Sequence, residues 1–200
     1  NARPVYVGPI RREFIQLRNE MNDAVTSSPL KREMHWLMSH LDFLEWRTPE
    51  NEIHIHPNHA RWLRDQFARI ERSFREIRKG KNPFPSLRGQ LLKSYYSAVD
   101  DSWQTYAVSV PNDYTGEKAF PMIVTLHGHG GWRPFQGYPT QVRDGMIFVA
   151  PHGRGAMDYM LYAEQDVLRV ISEVQKDYNI DPDRIILEGH SMGGTGSWNL

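Results

Sequence analysis

The feature that most constrains the fold is the six-residue segment Gly189–Gly194, with the sequence G-H-S-M-G-G. It follows a short apolar run, Ile185–Leu187, that is typical of a buried parallel strand, and the residues after it, Thr195–Leu200, are typical of the start of a helix. A G-x-S-x-G segment in that context forces its central serine, Ser191, into a tight and exposed turn. The sequence therefore predicts a strand, a sharp turn and a helix over residues 184–200.

Other apolar runs of strand length occur at residues 120–126 and 146–150. Two further strands over residues 92–110, joined by a turn, predict a hairpin. Residues 160–177 have apolar side chains at helical spacing, namely Leu161, Val167, Leu168, Val170, Ile171 and Val174. Apolar strands that alternate with helices predict an α/β fold, with a mostly parallel sheet and helices on both faces.

The loop after the run at 120–126 has the sequence His127-Gly128-His129-Gly130-Gly131. Glycines at such a position let backbone N–H groups turn towards a negative charge that develops on a reacting oxygen. This glycine-rich loop is independent of the Ser191 segment. It lies where an enzyme with such a serine turn places the loop that forms its oxyanion hole.

Four segments match the α/β-hydrolase superfamily in order and spacing, and in detail they resemble bacterial esterases and prolyl-oligopeptidase-family serine hydrolases. They are Leu126–Gly131, Ala150–Gly155, Asp181–Arg184 and Gly189–Gly194. The resemblance covers residues 91–200 and implies the first part of an α/β-hydrolase fold, which would end just after the serine turn.

The resemblance also implies roles for individual residues. Ser191 would be the catalytic nucleophile, and the oxyanion hole would use Met192 through its backbone N–H together with His129. The residues that would shape the two loops are His127, Gly128, Gly130, Gly189 and Gly193. The implied substrate is a small-molecule ester or a peptide, and neither a cofactor nor a metal is implied.

A serine hydrolase with this chain order supplies its acid and its histidine after the serine. His190 should point away from Ser191, His127 is better placed to stabilise the loop, and His152 and Arg154 are expected to shape a loop or line the substrate rim. We therefore expect the triad Asp and His to lie beyond Leu200, the chain to be the N-terminal part of a longer protein, and the fragment alone to be inactive. Two alternatives to an esterase remain: a serine peptidase of the same fold, and a non-catalytic binding or structural module that retains hydrolase motifs.

The pattern of residues 1–90 predicts an all-helical appendage. The predicted domains are therefore residues 1–90 and residues 91–200. Helices are expected to begin at Pro9, near Pro29 and after Pro57, and Gly80 is expected at the C-terminal end of the third helix. The expected apolar stripes include Phe14, Ile15, Leu17, Met21, Met34, Leu37, Met38, Leu41, Leu44, Trp62, Leu63, Phe67, Ile70, Phe74 and Ile77.

Composition excludes several classes of protein. The absence of cysteine excludes disulfides and thiolate chemistry, and no apolar run approaches the length of a membrane span. Residues 1–90 have 16 basic and 11 acidic side chains, but they alternate at helical spacing, so we expect no nucleic-acid partner. His54, His56 and His59 resemble a metal cluster without matching a zinc signature, so no metal is expected there. The protein is expected to be soluble, and secreted or periplasmic if a signal peptide was removed, while its oligomeric state is open.

Overall fold

The computed structural model describes residues 5–48, 54–131 and 142–200. The chain forms two compact units, Asn1–Phe84 and Pro85–Leu200. A domain boundary near residue 90 stays a prediction, and the two compact units meet six residues earlier than that.

The first unit is built from three helices, α1 (Gly8–Val25), α2 (Lys31–Trp46) and α3 (Pro57–Arg78). The expected helix positions are confirmed, since proline occupies the first turn of both α1 and α3. Gly80 follows the last helical residues with a φ of 75°, a conformation that glycine adopts without the penalty of a Cβ. An antiparallel pairing of β1 (Val5–Tyr6) with β2 (His54–Ile55) was not predicted, so this unit is not all-helical.

The core of the helical unit is formed by the predicted stripes, with corrections at two positions. Phe14 and Phe67 are buried with their ring centroids 5.2 Å apart. Ile15 and Trp62, which were expected in the stripes, are 56% and 36% exposed. Each lies next to a buried residue of its own helix, Phe14 or Leu63, so that the apolar stripe turns away from it.

The second unit contains a five-stranded sheet. Its strands are β3 (Gly89–Ser97), β4 (Ser102–Val110), β5 (Phe120–Leu126), β6 (Ile147–Pro151) and β7 (Ile180–Gly189), in the order β3-β4-β6-β5-β7. The predicted hairpin is confirmed as β3 and β4, which pair antiparallel, and β4 also pairs antiparallel with β6. Because β5 is parallel to both β6 and β7, only β4 runs against the direction of the other four strands.

Two helices pack against this sheet, α4 (Tyr162–Asp177) and α5 (Met192–Asn199). The buried face of α4 includes Val167, Val170 and Val174, as predicted. Leu161 and Leu168 do not belong to it, because Leu168 is 52% exposed and Leu161, 73% exposed, precedes the first residue of α4.

Strand β7 begins earlier than residue 184, where the sequence pattern placed it. Ile180 pairs with Phe120 and Ile185 pairs with Met122, so the residues between them form an irregularity in β7. Asp181 and Arg184 close this segment with an ion pair of 2.6 Å, which helps to hold the pKa of Asp181 below its usual value. The strand nevertheless ends at Gly189 as expected, so that the carboxyl ends of β5, β6 and β7 lie at one edge of the sheet.

Candidate active site

Ser191 lies in a sharp turn between the end of β7 and the first residue of α5. Its φ is 55° and its ψ is −119°, a conformation that is strained for any residue with a Cβ. The N–H of Gly193 donates to the carbonyl of His190 at 2.9 Å and closes the turn. The residue as a whole is exposed to solvent.

Two glycines of the segment are required by close contacts between backbone atoms. A Cβ on Gly189 would overlap the carbonyl group of Gly193, and a Cβ on Gly193 would overlap the carbonyl oxygen of Leu126. The helix that follows Ser191 therefore packs directly on the backbone of β5 and β7. This contact accounts for the small residues on both sides of the serine.

The loop after β5 contacts the same turn. A Cβ on Gly128 would lie 3.3 Å from the carbonyl oxygen of His190 and 3.5 Å from the Cβ of Ser191. Gly130 lacks such a requirement, because a Cβ there would meet no described atom within 4 Å. Gly128 thus lies against the serine turn, while the loop-shaping roles of Gly128 and Gly130 both stay predictions.

The two predicted oxyanion donors lie on the two segments that meet at Ser191. Met192 is the first residue of α5, where a backbone N–H has no acceptor within its own helix. His129 begins a short 3₁₀ turn, His129–Gly131, one residue after Gly128. The imidazole of His129 is 67% exposed and its Nδ1 lies 3.8 Å from a carboxylate oxygen of Asp158.

His127, in the loop after β5, is buried, and its role in shaping that loop stays a prediction. Its Nδ1 lies 2.9 Å from the carbonyl oxygen of Gly128, and its Nε2 lies 2.8 Å from the carbonyl oxygen of His152. Both carbonyls only accept hydrogen bonds, so a neutral imidazole donates to one of them at a time. The ring thereby links the loop after β5 to the loop after β6.

Arg154 forms two ion pairs, one with a buried carboxylate and one with an exposed carboxylate, a role that the expected rim position did not include. Its Nε lies 3.2 Å from a carboxylate oxygen of Asp166, and its guanidinium also contacts Asp100 at 2.6 Å. The Tyr95 hydroxyl donates to Asp166, and the Arg154 guanidinium donates to Ser97 Oγ at 2.7 Å. The loop after β6 is thus fixed to β3, to the following turn and to α4.

The two carboxylates respond to this cluster in opposite directions. Burial raises the pKa of Asp166 above its usual value, although Tyr95 and Arg154 both hydrogen-bond it. Hydrogen bonds from Arg154 and Ser102 lower the pKa of the exposed Asp100 to about 2. Desolvation therefore dominates at the buried carboxylate, and pairing dominates at the exposed one.

The remaining histidines are placed as follows. His190 is exposed, and His152 is half-buried after β6 with its backbone N–H donating to Thr105 at 3.3 Å. In the helical unit, Nδ1 of His56 accepts the N–H of Asn58 at the start of α3, and the ring of His59 packs against Trp62. Among the described residues, no group of three or more His, Cys, Asp or Glu side chains could hold a metal ion.

No helix in the described part of the chain is long and apolar enough to cross a membrane.

The strand order, the single antiparallel strand and the serine turn at the carboxyl end of β7 define the Pro85–Leu200 unit as an α/β-hydrolase fold, as predicted. No protein-family model matches the chain. Over 107 residues, 48% of the chain, it is 31% identical to a probable feruloyl esterase C of Aspergillus oryzae, of which it covers 40%. The chain therefore spans about two fifths of the length of that curated relative.

Two solved structures are also similar. One is a ferulic acid esterase with 22% identity and a TM-score of 0.45, covering 56% of this chain and 55% of that chain. The other is an S-formylglutathione hydrolase from Agrobacterium tumefaciens with 20% identity and a TM-score of 0.40, covering 54% and 50%. The predicted resemblance to esterases is confirmed by the curated relative, whereas the narrower assignment to a prolyl-oligopeptidase-like group stays a prediction.

Proposed function

We propose that the full-length protein is a serine hydrolase that cleaves carboxylic esters, with Ser191 as its nucleophile. The observation that carries the proposal is the conformation of Ser191. It is an exposed residue with a φ of 55°, held between β7 and α5 by backbone contacts that only glycine permits. Strain of this kind persists only where the surrounding structure enforces it, and it concentrates at functional sites.

In the proposed reaction, Ser191 Oγ attacks the ester carbonyl carbon and forms a tetrahedral intermediate. The carbonyl oxygen becomes an oxyanion and accepts hydrogen bonds from the backbone N–H groups of Met192 and His129. Both assignments rest on the positions of these residues. Met192 directly follows Ser191, and His129 directly follows Gly128, which contacts Ser191. Donors of this type each stabilise the transition state by about 3 to 4 kcal/mol.

The Ser191 proton must pass to a general base and then to the leaving alcohol. We assign this role to a histidine that follows these residues in the chain, oriented by an Asp that precedes it, as the order Ser, Asp, His requires. The acyl group remains on Ser191 Oγ until water, deprotonated by the same base, attacks it. The acid is then released and Oγ regains its proton.

The curated relative suggests the substrate class to test first. It is a probable feruloyl esterase, and therefore we propose esters of hydroxycinnamic acids, small molecules with an aromatic acyl group, as substrates of this protein. No cofactor takes part in the proposed chemistry, since nucleophile, base and oxyanion donors suffice for acyl transfer.

The test is hydrolysis by the full-length protein of methyl ferulate, p-nitrophenyl acetate and a matching p-nitroanilide. We expect turnover of the esters, slower turnover of the amide, and labelling of Ser191 by a fluorophosphonate. Ser191→Ala should lower kcat by at least about 10⁴-fold and abolish labelling. Amide turnover as fast as ester turnover would favour a peptidase, and a folded protein that neither turns over nor reacts would favour a binding module.

A further inference from the structure

The buried side chain of Tyr159 extends from the loop after β6 and contacts the loop after β5 and α5, the two segments that meet at Ser191. Its hydroxyl donates to the carbonyl oxygen of His127 at 3.2 Å, in the loop after β5. A Cβ added to Gly153 or to Gly196 would lie 2.6 Å from an atom of the Tyr159 ring. The ring therefore packs against the loop after β6 and against α5. The side chain is 1% exposed. No signal in the sequence singled out this tyrosine.

The backbone that presents Tyr159 is strained. Asp158, Tyr159 and Leu161 all have positive φ angles, of 50°, 54° and 54°. Each costs on the order of 1 to 3 kcal/mol for a residue with a Cβ, so the surrounding contacts must enforce this conformation. One end of the loop is anchored by the ion pairs of Arg154 with Asp100 and Asp166.

The acceptor of the Tyr159 hydroxyl is the point where the oxyanion loop meets α5. The carbonyl oxygen of His127 lies 2.8 Å from the place where a Cβ of Gly193 would be. A peptide group is planar, so fixing this carbonyl also fixes the N–H of Gly128 and the start of the path to His129. Gly128 in turn lies against the Cβ of Ser191.

We propose that Tyr159 is a positioning residue, whose hydroxyl holds the oxyanion loop in register with Ser191. This inference rests on the proposed ester hydrolysis. Tyr159 acts through the His127 peptide group and does not touch the substrate. Losing the hydroxyl leaves the carbonyl without that donor, so the loop can rotate and the His129 N–H moves away from the oxyanion. The loss is felt in the transition state, where the oxyanion exists, and much less in substrate binding.

The test compares Tyr159→Phe with Tyr114→Phe in the full-length protein. Tyr114 is a matched control, because it is also buried and its hydroxyl also hydrogen-bonds the main chain, accepting the N–H of Asn179 at 2.7 Å. Asn179 precedes β7, whereas Ser191 follows it, so the control lies at the other end of that strand. Rates of p-nitrophenyl acetate hydrolysis are normalised to the sites titrated by a fluorophosphonate, so that loss of folded protein does not lower them.

We expect Tyr159→Phe to lower kcat by about tenfold or more, less than the 10²- to 10³-fold lost with a whole oxyanion donor, and to leave KM within about twofold. The inhibition constant of a boronic acid, which forms a tetrahedral adduct with the serine, should rise by the same factor as kcat falls. Tyr114→Phe should keep the wild-type kcat per site even if its melting temperature falls.

Two results would overturn the inference while leaving the proposed function intact. One is a kcat per site in Tyr159→Phe within about twofold of wild type, and the other is an equal loss in Tyr114→Phe. A wild-type protein that neither hydrolyses esters nor reacts with the fluorophosphonate overturns both proposals. If Tyr159→Phe yields no titratable sites, Gly196→Ala displaces the ring while keeping the hydroxyl, and a wild-type kcat in that variant contradicts the inference.

Discussion

The two compact units use their backbones in different ways. In the helical unit, the described residues with a positive φ are limited to Gly80, and most of the buried side chains belong to three regular helices. In the Pro85–Leu200 unit, six non-glycine residues have a positive φ: Asp101, Arg154, Asp158, Tyr159, Leu161 and Ser191. Five of these six lie in the segments that follow β6 and β7.

The difference separates two sources of structural order. The helical unit relies on the burial of apolar side chains, which is non-directional and tolerates small shifts. The end of the sheet at Ser191 relies on backbone atoms in contact and on residues held in unfavourable conformations. Changes at glycine and at strained residues should therefore have larger effects in the second unit than in the first.

The largest effect is expected for Gly193→Ala. The new Cβ would overlap the carbonyl group of Leu126, which is part of the main chain of β5 and cannot rotate away as a side chain could. The free energy of unfolding should therefore fall by at least about 4 kcal/mol. Gly194→Ala is the matched control, since its Cβ would lie 3.5 Å from the nearest atom, the carbonyl oxygen of Gly189. Urea denaturation of both variants measures the difference, and equal losses would show that backbone contact is not the cause.

The next effect concerns the helical unit and acid. His40 is buried on α2, and burial lowers its pKa to about 4. Since the unfolded chain binds this proton near pH 6.5, stability is full above that pH and falls as pH drops from about 6.5 to 4, by on the order of 3 kcal/mol. Hydrogen exchange of α2 amides, corrected for the intrinsic rate, measures the loss. His40→Gln should flatten the dependence, and an unchanged slope would contradict the assignment to His40.

A smaller effect is expected from relieving strain at Ser191. Ser191→Gly should abolish hydrolysis and raise the free energy of unfolding by about 1 kcal/mol, because glycine adopts a φ of 55° freely but costs more entropy on folding. Ser191→Ala should also be inactive but should not gain stability, since it keeps a Cβ. Equal stabilities of the two variants would mean that this turn is not strained.

The smallest effect is expected at Asp100. Pairing with Arg154 lowers its pKa to about 2, so its contribution to stability is present above about pH 4 and is lost as pH falls towards 2. Asp100→Asn should lower the melting temperature slightly at pH 6 and leave it unchanged at pH 2. A loss of the same size at both pH values would show that the ion pair is not responsible.

Much of this molecule could be predicted from the sequence where the information is local. The apolar period located α1, α3, the hairpin and β5. The glycines around Ser191 indicated the turn because two of them, Gly189 and Gly193, serve contacts close by in sequence or on a neighbouring strand. The pairing of Val5–Tyr6 with His54–Ile55 was not predicted, because strands of two residues are too short to show an alternation of apolar and polar side chains. Ile15 and Trp62 were misplaced because a helical stripe leaves the residues beside it ambiguous.

The contacts that complete the candidate site could not be predicted from the sequence. Arg154 meets Asp100 across 54 positions of the chain, and the Tyr159 hydroxyl meets His127 across 32. Such pairs depend on the strand order, which places β6 between β4 and β5. The motif around Arg154 could suggest a loop, but it contains no sign of which carboxylates the guanidinium binds.

The contacts that shape the Ser191 turn also bear on which nearby side chains the fold leaves free to vary. Main-chain atoms of Leu126, Gly189 and Gly193 set the turn, while Met157, Met160 and Leu161 in the loop after β6 turn their side chains to solvent. The geometry of the turn and the surface chemistry of the loop are thus encoded by different atoms. Replacing those three side chains should therefore change the surface of this loop without altering the main-chain contacts of the turn.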